Sequence, residues 1–337
     1  MDHQKWSLRL GAAVICCALL LRLSAGGMLD SLTAILAQPN IASFLIYLET
    51  GRVVRFSSSV EIPVLTGESS TPDFSEDAQP EAIPVFAPEE AAAVAFRNNV
   101  SKSYDPATLL TRPLQWNLTG DAPTVLILHT HATESYTPAP GENYKESSPF
   151  RTLDEEYNML SIGDHLAKTL ESAGISVIHD RSLHDYPSYN GAYSSSRKSV
   201  DAYLTQYPSI RLVLDIHRDA SEDNSNQMNT EARYRGRDSA QLMLVVGTNG
   251  SGLSHGDWQE NLALAMKLQV ALEQIAPGIC RPINLRAQRF NQDKSTGALL
   301  VEVGAAGDSH TEALTAAEAL AEGIVYLARG ANSEEIP

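Results

Sequence analysis

The segment Thr124-Val125-Leu126-Ile127-Leu128-His129-Thr130-His131-Ala132-Thr133-Glu134-Ser135-Tyr136 runs five apolar or β-branched residues into two histidines and a carboxylate. It follows Pro123 and is too short for a helix of its own, so it reads as a buried strand. His129 and His131 are two apart, and they point to the same side if the strand continues through them. Glu134 lies where the chain would leave the strand. In open α/β sheets, sites gather at the carboxyl ends of strands. Two imidazoles and a carboxylate at such an end suit a hydrolytic zinc site.

Two further apolar runs carry an ionisable group near their ends. Ile210-Arg211-Leu212-Val213-Leu214-Asp215-Ile216-His217-Arg218-Asp219 ends in a histidine. Ala298-Leu299-Leu300-Val301-Glu302-Val303-Gly304 holds Glu302 on the same face as Leu300 and Gly304. Burying a carboxylate is costly unless it meets a cation or a metal. A structural salt bridge accounts for one such residue more readily than for the same outcome on three strands. His129, His217 and one carboxylate leave a fourth zinc position for water. Glu302 is then placed to take the proton from that water.

The segments between these strands have helical spacing. Leu153 to Ala173 places Leu153, Tyr157, Leu160, Ile162, Leu166 and Leu170 at helical intervals, and Gly174 stops the pattern. Ile175 to Ile178 reads as a strand, Ser195 to Leu204 as a helix, and Gln241 to Val246 as a strand. Trp258 to Ile275 and the alanine-rich Thr311 to Ala328 read as helices, and Pro138 to Pro149 as a polar loop. The alternation predicts an α/β fold, a mostly parallel sheet flanked by helices. His255 and His310 are expected to be solvated helix-start residues, and Cys280 to be structural.

The 337 residues, 43% of them hydrophobic, fit one sizeable domain with extras or two small ones. A net charge of -16 argues against nucleic acid as a partner. Of the three cysteines, Cys16 and Cys17 lie in an apolar segment and Cys280 is alone. No disulfide framework or CxxC knuckle is possible, so a metal must be held by His and carboxylates.

The beginning of the chain reads as an export segment. Lys5 and Arg9 precede the apolar run Leu10 to Leu21, and Arg22 interrupts it. A cleaved signal peptide and an uncleaved signal anchor both fit residues 1–29. Residues 30–65 are expected to be membrane-proximal, and their apolar patch Ile41 to Leu48 is too short to span. From Thr66 to Phe96 the chain is acidic, proline-punctuated and free of Lys and Arg. Residues 66–117 are therefore expected to be a disordered acidic linker, and residues 118–332 the catalytic domain. The expected placement is a single pass in the cell membrane, with the catalytic domain on the extracytoplasmic side.

His-Thr-His-Ala-Thr-Glu-Ser-Tyr at 129–136, Asp-Ile-His-Arg-Asp at 215–219, Asn-Gln-Asp at 291–293 and Leu-Val-Glu-Val-Gly at 300–304 resemble the stage II sporulation protein P family. The resemblance spans Leu118 to Arg329. It implies a zinc-dependent hydrolase of peptidoglycan, related to N-acetylmuramoyl-L-alanine amidases, acting during engulfment in endospore-forming bacteria. It implies cleavage of both the glycan–peptide amide and the peptide cross-link. The implied partners are stage II sporulation protein D, a lytic transglycosylase, and stage II sporulation protein M, a membrane protein. Carried over, His129 and His217 match the metal histidines and Glu302 the catalytic glutamate. The expected third ligand is Glu134, with Asp154, Glu155 or Glu156 as alternatives. His131, Arg218, Asp219, Arg289 and Asn291 are expected to face substrate. A non-catalytic wall-binding scaffold is the competing expectation, and retention of His129, His217 and Glu302 speaks against it.

Overall fold

The computed structural model describes residues 86–330, apart from 101, 115–116, 140 and 221–227. The expected anchor, the membrane-proximal segment and the first part of the linker, residues 1–85, lie outside the described residues. Among the described residues no helix is long and apolar enough to cross a membrane.

A seven-stranded sheet carries the fold. In chain order its strands are β1 (Phe96–Asn98), β2 (Val125–Leu128), β5 (Val177–His179), β6 (Leu212–Asp219), β9 (Leu242–Gly247), β10 (Ile283–Arg286) and β11 (Ala298–Ala305). Two hairpins lie outside it, β3 (Glu146–Ser148) with β4 (Arg151–Thr152), and β7 (Ala232–Tyr234) with β8 (Arg237–Ser239). The spatial order is β1-β10-β9-β11-β6-β2-β5. Strands β5, β2, β6 and β11 run parallel, as do β9, β10 and β1. The two groups meet at one antiparallel junction, β11 with β9. The mostly parallel sheet expected from the alternating pattern is therefore present, with its direction reversed at β9.

Burial on both faces explains the near-continuous apolar strands. One face, with Ile127, Leu214, Ile216, Val301 and Val303, joins the main core. Helices α2 (Met159–Ser172), α4 (Trp258–Ile275) and α5 (His310–Arg329) contribute Leu166, Leu268 and Leu320 to it. On the opposite face Leu126, Leu128 and Val213 pack with Val200 of α3 (Ala192–Gln206). Met243, Val245 and Leu300 pack there with Phe290.

Helix α2 starts later than the periodicity from Leu153 predicts. The Asn158 side chain accepts from Leu160 N and caps it. The residues before it form a turn, with Leu153 exposed. Helix α5 opens on a capping box between Ser309 and Glu312.

The expected linker ends too late. Residues 86–114 belong to the fold: Phe86, Val94, Leu109, Leu110 and Leu114 are buried in the main core. β1 pairs with β10, and the short helix α1 (Pro106–Thr111) packs against α4. Ala95 N donates to Gln269 Oε1 at 2.9 Å, and buried Lys267 donates to the Leu110 carbonyl. Burial, helped by Arg112, lowers the Lys267 pKa to about 8. Acidic composition and prolines set the sequence expectation, but a few well-spaced apolar residues suffice to dock short elements onto α4.

Candidate active site

The site forms where β2, β6 and β11 end. Glu302 of β11 is paired in register with His217 of β6, so both side chains leave the same face. Asp215, two residues before His217, shares that face and is paired with Leu128. The Thr130 backbone N–H and hydroxyl donate to the Asp215 carboxylate at 2.7 and 2.6 Å.

After Leu128 the chain leaves the ladder and turns. Glu134 and Ser135 form bridges to Arg151 and Asn158. The Tyr136 hydroxyl donates to the Val303 carbonyl at 2.7 Å, which ties the turn to β11. Glu134 Oε2 thereby comes within 3.5 Å of His217 Nδ1. Arg151 Nη2 lies 3.2 Å from Glu134 Oε1. The His131 ring meets the His217 ring edge to face, with centroids 5.4 Å apart. Its own face stacks on Tyr189 at 4.5 Å.

Burial would raise the Glu134 pKa, but Arg218, His217 and His131 hold it below the usual carboxylate range. Burial disfavours charge on His217, yet Asp215 and Glu134 on either side raise its pKa well above the ordinary value. For His131, burial dominates and the pKa falls. Glu302 is only partly exposed and its Oε2 is buried. Burial pushes its pKa up to about 8, with His217 opposing and Asp219 and Glu134 adding to the rise.

His129 does not join this cluster, contrary to the expectation that it holds the metal with His217. The same-side expectation needs strand alternation through residue 131, and the strand ends at Leu128. The His129 ring instead lies against Gly163 of α2 and His179 of β5. Burial, with His179 adding, lowers its pKa to about 3. His131 takes the position beside His217. Of the carboxylates weighed as third ligand, Glu134 is at the cluster. Glu155 pairs with Arg181 at 2.6 Å, and Asp154 and Glu156 lie in an exposed turn.

Four residues expected to face substrate are already bonded within the fold. Arg218 Nε donates to the Ser135 carbonyl at 3.0 Å and Nη2 to the Phe150 carbonyl at 2.8 Å. Asp219 pairs with Arg281 at 2.8 Å. Arg289 donates to the Ser254 carbonyl and pairs with Asp293 at 3.3 Å. Asn291, at φ 60°, donates to the Tyr193 carbonyl at 2.8 Å. His255 is buried rather than solvated, and His310 starts α5 with its Nε2 2.6 Å from Ser161 Oγ. Nothing in the sequence marks Arg151 or Tyr189 as part of the site. Asp215 alone left a signal: a carboxylate inside an apolar strand, two residues before His217.

Among the described residues no three His, Cys, Asp or Glu side chains stand at metal-ligating spacing. The donor chemistry nevertheless fits zinc. His131 Nδ1 and Glu302 Oε2 are buried without a hydrogen-bond partner. The 3.5 Å between Glu134 Oε2 and His217 Nδ1 is close to the edge of a zinc tetrahedron, about 3.3–3.4 Å for bonds of about 2.0–2.1 Å. His217 Nε2 lies 2.8 Å from Asp215 Oδ1, an ion-pair contact on the far side of the ring from Glu134. A carboxylate behind the ring is how ligating histidines are commonly oriented.

The sequence profile described as stage II sporulation protein P matches residues 65–325. A curated relative of that name from Bacillus subtilis (strain 168) is 29% identical over 215 residues, 60% of this chain and 51% of the relative. The chain thus spans about half the length of the curated relative it matches. Among solved structures it is similar to the N-acetylmuramoyl-L-alanine amidase AmiC2 of Nostoc punctiforme: 17% identity, 61% of this chain, 97% of that one, TM-score 0.37. It is also similar to the CwlD amidase from Clostridioides difficile in complex with the GerS lipoprotein: 15% identity, 61% and 96% coverage, TM-score 0.37. With residues 65–325 matched, the chain belongs to the stage II sporulation protein P family.

Proposed function

We propose that this chain is a zinc-dependent peptidoglycan hydrolase acting in sporulation, held at the membrane by its N-terminal apolar segment. It cuts the amide between glycan and stem peptide, and the peptide cross-link as well. Stage II sporulation proteins D and M are the partners that family membership suggests. The observation that carries this reading is the convergence of His131, Glu134, His217 and Glu302 at three strand ends, with buried polar atoms left unpartnered.

In this mechanism His131, Glu134 and His217 would hold the zinc. Zinc, when bound, supplies the Lewis acid that makes water a nucleophile near neutral pH. Asp215 orients His217 from behind. Glu302 takes a proton at Oε2 and passes it to the leaving nitrogen. Arg151, between Glu134 and Asp185, aims the Glu134 carboxylate, which Arg218, His217 and His131 keep ionised. Tyr189, 56% exposed and stacked on His131, forms the rim that substrate meets first.

The test is zinc content and muropeptide release from purified peptidoglycan, measured on the same preparation of the full chain. Stoichiometric zinc with release that chelation abolishes is expected. Zinc-independent binding to the wall without release would favour a scaffold and refute the proposal.

A further inference from the structure

Strand β6 outruns its neighbour β2. The last pair between them is Leu128 with Asp215, while β6 continues to Asp219. On the β11 side, Ile216 and His217 remain paired with Val301 and Glu302. On the β2 side no strand remains, and side chains from the turn after β2 take its place. His129 Nδ1 lies 2.9 Å from the Ile216 carbonyl. Glu134 Oε2 accepts from Arg218 N at 3.4 Å. The backbone is thus held immediately before and immediately after His217. A buried carbonyl without a partner is costly, so the His129 bond is not incidental.

The His129 ring is itself braced. Its Nε2 lies 2.8 Å from His179 Nε2, and His179 Nδ1 lies 3.0 Å from Asp164 Oδ1. The two rings meet edge to face at 5.0 Å. Gly163 provides the room: a Cβ there would lie 2.4 Å from Nε2 of both histidines. A carbonyl oxygen only accepts, so the Nδ1 facing Ile216 carries the ring's hydrogen.

We infer that His129 and His179 are positioning residues for His217: His179 orients the His129 ring, and His129 fixes the Ile216 carbonyl, so that the His217 imidazole meets Glu134 and Glu302. This rests on the proposed ligand set of His131, Glu134 and His217. Groups that orient metal ligands from outside affect metal affinity and turnover by about 10–100-fold.

The experiment uses the full chain with His129→Ala, His129→Asn and His179→Ala. Asparagine places an amide nitrogen near the position of Nδ1 and cannot reach that of Nε2. Zinc affinity by chelator competition, kcat and KM on peptidoglycan fragments, and thermal melting are measured. His129→Ala is expected to lower kcat and zinc affinity by about 10–100-fold with KM unchanged. His129→Asn is expected to restore most of both. His179→Ala, which keeps the carbonyl bond but unbraces the ring, is expected to lower kcat by about 10-fold. It serves in place of His129→Ala if the latter fails to fold. Equal losses in His129→Asn and His129→Ala, or parent-like kcat in His179→Ala, would overturn the inference. Full zinc in His131→Ala together with none in His129→Asn would overturn the ligand set itself.

Discussion

His217 and Glu302 stand side by side on adjacent parallel strands, paired in register. The β6–β11 register shifts just after them, between Glu302 and Ala305. Irregularities of this kind re-aim side chains at the ends of sheets. Glu302 and His217 are therefore fixed by backbone pairing rather than by a mobile loop.

Glu302→Gln keeps the side-chain shape and removes the basic oxygen. Zinc content and wall binding should persist while both amide and cross-link cleavage fall by a factor of about 10² or more. Muropeptide release with parallel metal analysis checks this. Retained cleavage would remove Glu302 from the mechanism, and loss of zinc would make it a ligand.

The raised Glu302 pKa also predicts how the chelated protein responds to pH. In the fold the group titrates near 8, against an ordinary value of 4.5. The folded state therefore binds more protons between those values, and stability from this group is complete below about pH 4.5 and lost as pH rises through about 8. With metal removed, the melting temperature of the parent should fall relative to Glu302→Gln as pH rises from 5 to about 8. A constant difference across that window would contradict the burial of the carboxylate.

The proposed ligand set makes a sharp contrast between neighbours. His131→Ala, Glu134→Gln and His217→Ala should each lose most of the bound zinc, because three protein ligands leave little redundancy. Alanine at Asp154, Glu155 or Glu156 should leave it intact, since those side chains sit in the exposed turn before α2. Metal content by mass spectrometry decides between them.

Gly163→Ala places a methyl group against two imidazoles at once. Overpacking of this kind costs about 1–3 kcal/mol, and the His129 ring would be displaced from the Ile216 carbonyl. Both a lower melting temperature and lower turnover are expected. A variant as stable and as active as the parent would show that the two rings have room to move.

A fragment starting at residue 118 should not fold, whereas one starting at residue 86 should. The shorter fragment lacks buried Phe86, Val94, Leu109, Leu110 and Leu114. At about 1.5–3 kcal/mol for each such side chain, the loss approaches the whole stability of an ordinary domain, about 5–15 kcal/mol. It also leaves Lys267 Nζ without its carbonyl partner. Denaturant unfolding of the two fragments would show a cooperative transition only for the longer one.

Much of this was legible in the residues. Strands β2, β6 and β11 announced themselves as apolar runs, and Glu302 and His217 as ionisable groups within them. The choice between His129 and His131 was not legible. It depends on the residue at which β2 stops pairing, and that is set by Glu134, Ser135 and Tyr136 bonding across to Arg151, Asn158 and Val303. The role of residues 86–114 was hidden for a different reason. Their elements are too short to show a period, and they are ordered by the α4 surface they cover. Leu153 misled because it continues a helical spacing while lying outside the helix that Asn158 caps.

Strand β1 is three residues long and lies at the end of the sheet, beside β10. Its small size belies what it prevents. Without it, β10 would offer a bare row of backbone donors and acceptors, the template on which separate chains add strand to strand. A truncation that removes residues 86–100 would therefore be expected to produce polymers, and inclusion bodies in place of a merely less stable protein.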